Sequence, residues 1–263
     1  MINNVTIGAD PELFIINEKT GKVVSAVGLI PGEKGDPWVG DDMPSGFGLE
    51  TDNILAEFNI PPVKDKESFI NNIEYMKEYI NKFVKEKDSE LGILCKASMT
   101  VDKKELQSKQ AKEFGCDPDY NVYTEDVNPK PKNAGRTTLR SCGFHIHIGY
   151  DNPNIDDSLK LVKYLDAYLG LPSLLLDGDT KRRSLYGKAG CFRLCEYGVE
   201  YRTLSSAMME DSITLNFVWN QLKMAITACN NNKKLPSPAN VREAIDKSDI
   251  ELAKQLIEKF DLA

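Results

Sequence analysis

The chain has 263 residues, 41% hydrophobic and 28% charged, enough to bury one sizeable core and too polar for a membrane-embedded protein. Its formal net charge of −7 argues against a broad nucleic-acid surface, although a local arginine cluster could still hold a small anion. The six cysteines at 95, 116, 142, 191, 195 and 229 include no Cys-x-x-Cys pair, so reduced thiols are expected. Met1-Ile2-Asn3-Asn4-Val5 carries no basic start ahead of an apolar run, and no apolar segment approaches the length of a membrane span. A cytoplasmic protein of one domain, residues 1–263, is the expectation.

Residues 5–16 read as a strand, with a turn at 17–21 and a second strand at 22–29. Asp10 and Glu12 stand two apart and share a face, while Pro11 between them lacks an N–H and predicts an edge, a bulge or a strand start. Two acids in an apolar strand are costly in a core without a cation, and a solvated edge is the plain alternative. Residues 31–48, rich in Gly, Pro and Asp and carrying Lys34, predict a loop long enough to be functional. Residues 52–60 predict a third strand, stopped by Pro61-Pro62, with Glu57 as a candidate ligand at its centre.

An amphipathic helix is predicted over 65–86, where Phe69, Ile73, Met76, Ile80 and Phe83 form a core stripe. Residues 91–100 predict a strand and 103–114 a short helix; 114–121 and 128–135 read as turns. Arg136 and Arg140 lead into Gly143-Phe144-His145-Ile146-His147-Ile148-Gly149-Tyr150, a short strand bounded by glycine. Its period of two puts both histidines, the only two in the chain, on one face and Phe144, Ile146 and Ile148 on the other. A second long helix is predicted over 155–176, ending or kinking at Pro172.

Residues 177–190 form a basic, glycine-containing loop with Lys181, Arg182, Arg183 and Lys188, without the spacing of a P-loop or a Rossmann turn. A strand pair follows over 191–204, with Glu200 and Arg202 on one face, and helices are predicted at 212–229, 239–247 and 249–260. Should the faces of Asp10/Glu12, Glu57, His145/His147 and Glu200/Arg202 meet in one sheet, so many acids ionise together only around divalent cations. Oxygen-rich ligands with an occasional His favour Mg²⁺ or Mn²⁺ over zinc, and such ions with arginines make a phosphoryl-transfer site.

Five segments carry a resemblance. Gly8-Ala9-Asp10-Pro11-Glu12, Leu55-Ala56-Glu57-Phe58-Asn59, Phe114-Gly115-Cys116-Asp117-Pro118-Asp119, Gly143-Phe144-His145-Ile146-His147 and Gly198-Val199-Glu200-Tyr201-Arg202-Thr203 resemble, in order, motifs of the phage-type carboxylate–amine ligases. These are amidoligases of the glutamine synthetase-like superfamily. The resemblance covers about residues 5–205, and the helical part 206–263 adds nothing to it. It implies an α+β fold, a curved antiparallel sheet whose concave face binds ATP and several Mg²⁺ ions, with helices packed on its convex side. It also implies ATP-dependent joining of a small-molecule or peptide carboxylate to an amine through an acyl phosphate.

By the same resemblance, Asp10, Glu12, Glu57, His145 and Glu200 are similar to metal ligands, and His147, Arg182, Arg183, Lys188 and Arg202 to nucleotide-phosphate contacts. Glu57, Arg193 and Arg202 are the implied catalytic groups. Many superfamily members carry Glu-x-Glu where this chain has Asp10-Pro11-Glu12, which leaves open whether the shorter Asp10 binds metal directly or through water. Two other readings stand beside the ligase: a metal-dependent hydrolase, and a non-catalytic nucleotide- or metal-binding protein on the same scaffold. Neither a nucleic-acid nor a membrane partner is expected, and oligomeric state is not legible.

Overall fold

Alternation of apolar and polar side chains gives strands with one buried and one functional face, and the sheet is built from such strands. The computed structural model describes residues 1–112, 119–129 and 137–263. Its strands are β1 (Thr6–Asn17), β2 (Lys22–Val24), β3 (Gly48–Asp52), β4 (Leu55–Val63), β5 (Leu91–Leu94), β6 (Ser98–Thr100), β7 (Tyr120–Asn121), β8 (Asp126–Val127), β9 (Leu139–Ser141), β10 (Phe144–Gly149), β11 (Cys191–Cys195) and β12 (Gly198–Tyr201). The helices are α1 (Lys66–Lys87), α2 (Lys109–Lys112), α3 (Ile155–Leu165), α4 (Leu171–Ser173), α5 (Ser212–Asn230), α6 (Pro238–Lys247) and α7 (Ile250–Phe260).

One open antiparallel sheet runs in the order β3-β4-β1-β10-β12-β11-β7-β8, and the far half of β1 also pairs with β2 and β5. A two-stranded sheet joins β6 and β9. The fold is α+β, as expected. Helices cover the apolar face: Phe69 of α1 stacks on Phe144 of β10 at 6.4 Å and meets Trp219 of α5 at 5.4 Å. Ile146 and Ile148 are buried on that side, in a core that also takes in Ile2 and Leu262. Asp65 caps α1, accepting from the Ser68 N–H at 2.8 Å.

Several boundaries differ from expectation, each for a physical reason. Pro11 is neither at an edge nor at a strand start: it sits inside central β1 opposite Phe144, and the register shift lies earlier, between Ile7 and Ala9. The bond to β10 is carried by Glu12, whose N–H donates to Gly143 O at 3.0 Å, so this ladder does not need a proline N–H. Strand β2 stops at Val24, where the chain turns and the Leu29 and Ile30 N–H groups bond Ala26 O. Strand β4 runs through Pro61 and Pro62 to Val63, and β3 was not foreseen.

Residues 91–100 form two strands with different partners rather than one. Residues 103–106 form a 3₁₀ turn ahead of α2. The predicted 155–176 helix is α3 and α4 joined by a π-helical turn, Asp166–Gly170, just before Pro172. The turns expected at 114–118 and 130–135, with Cys116 and Arg136, lie outside the described residues. Among the described residues no helix is long and apolar enough to cross a membrane.

Candidate active site

The cross-strand register assembles the polar pairs into one row. Glu50 of β3 lies opposite Glu57 of β4, and Glu57 opposite Glu12 of β1. Asp10 is opposite His145 of β10, His147 opposite Glu200 of β12, and Glu200 opposite Arg193 of β11. Because side chains alternate, all of these stand on the face away from α1 and α5. The faces predicted to meet therefore do meet, on six neighbouring strands.

At one end of the row, Asp10 Oδ1 lies 3.0 Å from His147 Nε2 and 3.6 Å from His145 Nδ1, and His145 Nδ1 lies 3.7 Å from Glu200 Oε1. His145 Nδ1 is buried without a hydrogen bond. Both carboxylate oxygens of Glu200, only 1% exposed, meet guanidinium groups: Oε2 lies 3.0 Å from Arg193 Nη1, and Oε1 contacts Arg202. Arg202 Nε also faces Asp119 Oδ1 at 3.4 Å.

At the other end, ligand oxygens of Glu12, Asp52 and Glu57 lie within 4.8 Å of one another. Glu12 accepts from the Gly143 N–H at 2.6 Å. His147 Nδ1 pairs with the Tyr197 hydroxyl, and a further donor set, His147, Cys195 and Glu200, lies within the same 4.8 Å limit.

These groups line overlapping cavities. One of about 580 Å³ is bordered by Glu12, Asp52, Asp119, His145, Arg182 and Arg202. A second of about 520 Å³ continues over Asp10, Glu50, Glu57, Lys34 and Arg193. A third of about 710 Å³ covers Gly8, Asp10, His147, Gly149 and Tyr197.

The electrostatics follow from crowding. Burial, then the Asp52 charge, raises Glu12 to about 7, against the Gly143 N–H and two arginines. Burial and the charges of Asp10, Glu12, Asp52 and Glu50 hold Glu57 well above the usual carboxylate range. Burial, followed by the Arg202 and Arg182 charges, drives His145 well below its ordinary value. Burial also opposes charge on His147, but the contact with Asp10 outweighs it and raises this imidazole to about 10. A set of crowded, buried acids beside the His145 Nδ1, which has no hydrogen bond, fits divalent cations bound through oxygen and nitrogen.

Of the four basic side chains of the loop only Arg182 lines these cavities, beside Tyr186 and Gly187. It is 1% exposed, its Nε donates to Cys142 O at 3.1 Å and its Nη1 to Thr203 O at 2.8 Å. Gly187, at φ +72°, lies under it: a Cβ there would meet Arg182 Nη1 at 1.5 Å. Arg183 instead donates to Ser248 Oγ at 3.3 Å, and neither it nor Lys188 borders a described cavity. The five described cysteines are free thiols. Glu50, Asp52 and Asp119 join the site without having been foreseen as part of it. The first two repeat the two-apart acid pattern of Asp10 and Glu12, hidden at the end of a Gly- and Pro-rich run.

Fold and site together define an α+β protein whose open sheet carries a row of acids, imidazoles and guanidinium groups on its uncovered face. Residues 134–260, a little under half of the chain, match the family described as Phage phiEco32-like COOH.NH2 ligase-type 2, and over that stretch the chain is similar to that family. The match takes in the histidine strand and the β11–β12 hairpin, and it continues through the C-terminal helices that the motif comparison left out. Asp10, Glu12 and Glu57 lie outside it and reach it through the sheet register. No curated protein matches the chain. The family name describes a carboxylate–amine ligase.

Proposed function

We propose that this chain is an ATP- and Mg²⁺-dependent ligase that forms an amide or peptide bond between a small-molecule or peptide carboxylate and an amine. The observation that carries the reading is the convergence of Asp10, Glu12, Asp52, Glu57, His145 and Glu200 with three guanidinium groups on one face of the sheet. Asp10, His145 and Glu200 would hold one cation, and Glu12, Asp52 and Glu57 another. Bound there, divalent cations supply neutralisation of polyphosphate charge and polarise phosphoryl oxygens.

A substrate carboxylate oxygen bonds to the γ-phosphorus of ATP while the bond to the bridging oxygen breaks and ADP leaves. Arg193 and Arg202, held by Glu200, face the cavity where charge accumulates during this transfer. The amine nitrogen then bonds to the acyl carbon, phosphate departs with the bonding pair, and the nitrogen's proton passes to a carboxylate of the site. Glu57, flanked by Glu12 and Glu50 across the ladder, is best placed to take it. His145, held neutral by burial and arginines, keeps a lone pair for a cation.

The test is thermal unfolding of the protein alone, with Mg²⁺, and with Mg²⁺ plus ATP, followed by a screen of acid and amine pairs for ADP release. Stabilisation requiring both metal and nucleotide supports the ligase, whereas turnover with metal alone would support a hydrolase. Glu200→Gln and His145→Ala should each abolish nucleotide turnover in a folded protein. Unchanged ATP consumption in both would overturn the site.

A further inference from the structure

Among the described residues, Lys34 is the one lysine bordering the acid-rich cavity. It stands at the tip of the 31–47 loop, which is long and Gly-rich yet firmly anchored. Trp38 packs against Tyr79 and Phe83 of α1 with ring centroids 6.5 and 5.9 Å apart, and it exchanges backbone hydrogen bonds with Leu49 of β3, both 2.9 Å. Met43 and Phe47 are buried in the core. Gly32 takes φ +83°, and a Cβ there would meet Leu49 O at 2.3 Å, so glycine alone lets the chain cross β3 at that point. Next to the lysine, the Gly35 N–H donates to Glu50 Oε2 at 3.0 Å.

From this tip Lys34 Nζ reaches Asp52 Oδ2 at 2.8 Å. Asp52 is one of the three carboxylates that crowd within 4.8 Å, with Glu12 and Glu57. The other cationic side chains bordering this cavity, Arg193 and Arg202, are engaged with Glu200, and Arg202 also with Asp119. The Asp52 end of the row is thus neutralised by an ammonium group from the chain itself.

We propose that Lys34 is a tethered counter-ion of the Glu12–Asp52–Glu57 cluster, displaced from Asp52 when a divalent cation binds there. This rests on the reading of that cluster as a metal site. An oxygen in contact with an ammonium is a poor ligand for a dication, and the two cations repel at short range. Lys34 therefore lowers the cluster's metal affinity in the nucleotide-free protein. Once displaced, its ammonium can pair with the anionic groups of a nucleotide, so metal and nucleotide favour each other's binding through this one side chain.

The experiment is a Mn²⁺ titration of the full chain without nucleotide, read by calorimetry and by the electron paramagnetic resonance signal of free Mn²⁺. Lys34→Met should bind one class of Mn²⁺ roughly three- to tenfold tighter than wild type, and Lys34→Arg, which keeps the charge, should bind like wild type. In an Asp52→Asn background the effect of Lys34→Met should vanish, because the competing pair is already gone. Unchanged or weaker Mn²⁺ binding by Lys34→Met, beside normal binding by wild type, overturns the role of Lys34 and leaves the ligase reading standing. Absence of Mn²⁺ binding in both wild type and Lys34→Met overturns both.

Discussion

Glu200 is the hinge of the site's electrostatics, and Glu200→Gln tests it. The substitution keeps shape and volume but removes the one charge that Arg193 and Arg202 share. The contact with Arg202 is buried on both sides, so removing one charge of the pair costs about 3 kcal/mol even though Arg202 keeps its contact with Asp119. The Arg193 contact, with the arginine 32% exposed, is screened and contributes about 0.5 kcal/mol. For a chain of this size the total corresponds to a fall in Tm of roughly 7–14 °C. Urea and thermal unfolding of Glu200→Gln, Arg202→Gln and the double variant give the coupling between the two residues, expected at about 2–3 kcal/mol. A single variant that melts within about 1 °C of wild type, together with negligible coupling, would refute the claim that these charges hold one another in place.

Other outcomes follow from the same structure. Burial raises Asp166 to about 7, well above a free aspartate, so between about pH 4 and pH 7 the folded chain keeps a proton that the unfolded chain has released. Stability from this group therefore falls as pH rises through that window, by up to about 4 kcal/mol, and the stability of Asp166→Asn relative to wild type should climb between pH 5 and pH 8; a pH-independent difference would contradict this. Gly187→Ala should cost about 2 kcal/mol or more, because a methyl group at φ +72° would drive Arg182 from its place, and urea denaturation measures it. Saturating Mg²⁺ at about 100 times its dissociation constant should add roughly 2.7 kcal/mol at pH 8 and less from the same Mg²⁺ at pH 5.5, where a proton holds Glu12, and EDTA should reverse the gain; equal gains at both pH values would argue against this ligand.

The histidine strand was legible because period two over six residues leaves no other way to put His145 and His147 on one side and Phe144, Ile146 and Ile148 on the other. Helix α1 was equally plain from its stripe. What the sequence concealed depends on partners distant along the chain. Asp52 read as the start of the 52–60 strand and Glu50 fell between that strand and the loop, since the turn that folds β3 onto β4 is made by Asn53 at φ +57°, with no glycine to mark it. Arg182 and Arg183 are neighbours of identical charge, and only packing sends one to the cavity and the other to Ser248. Asp166 falls within the helix predicted over 155–176 with nothing in the sequence to single it out, whereas the π-helical turn buries it against the hydroxyl of Tyr201 at 2.8 Å.

The pairing of β1 with β10 joins residues far apart along the chain: the bond from the Gly143 N–H to the Glu12 carboxylate spans 131 positions. Closing so long a loop is slow, and it gains little from the carboxylates that it gathers, whose crowding Lys34, Arg193 and Arg202 only partly offset. The apolar reverse of the same strands must therefore drive the association, with Phe144, Ile146 and Ile148 condensing onto α1 and α5. The reactive surface is in this sense a passenger of the core: it comes into being only when the last long-range strands register, and a nascent chain released before β12 is made has no site at all.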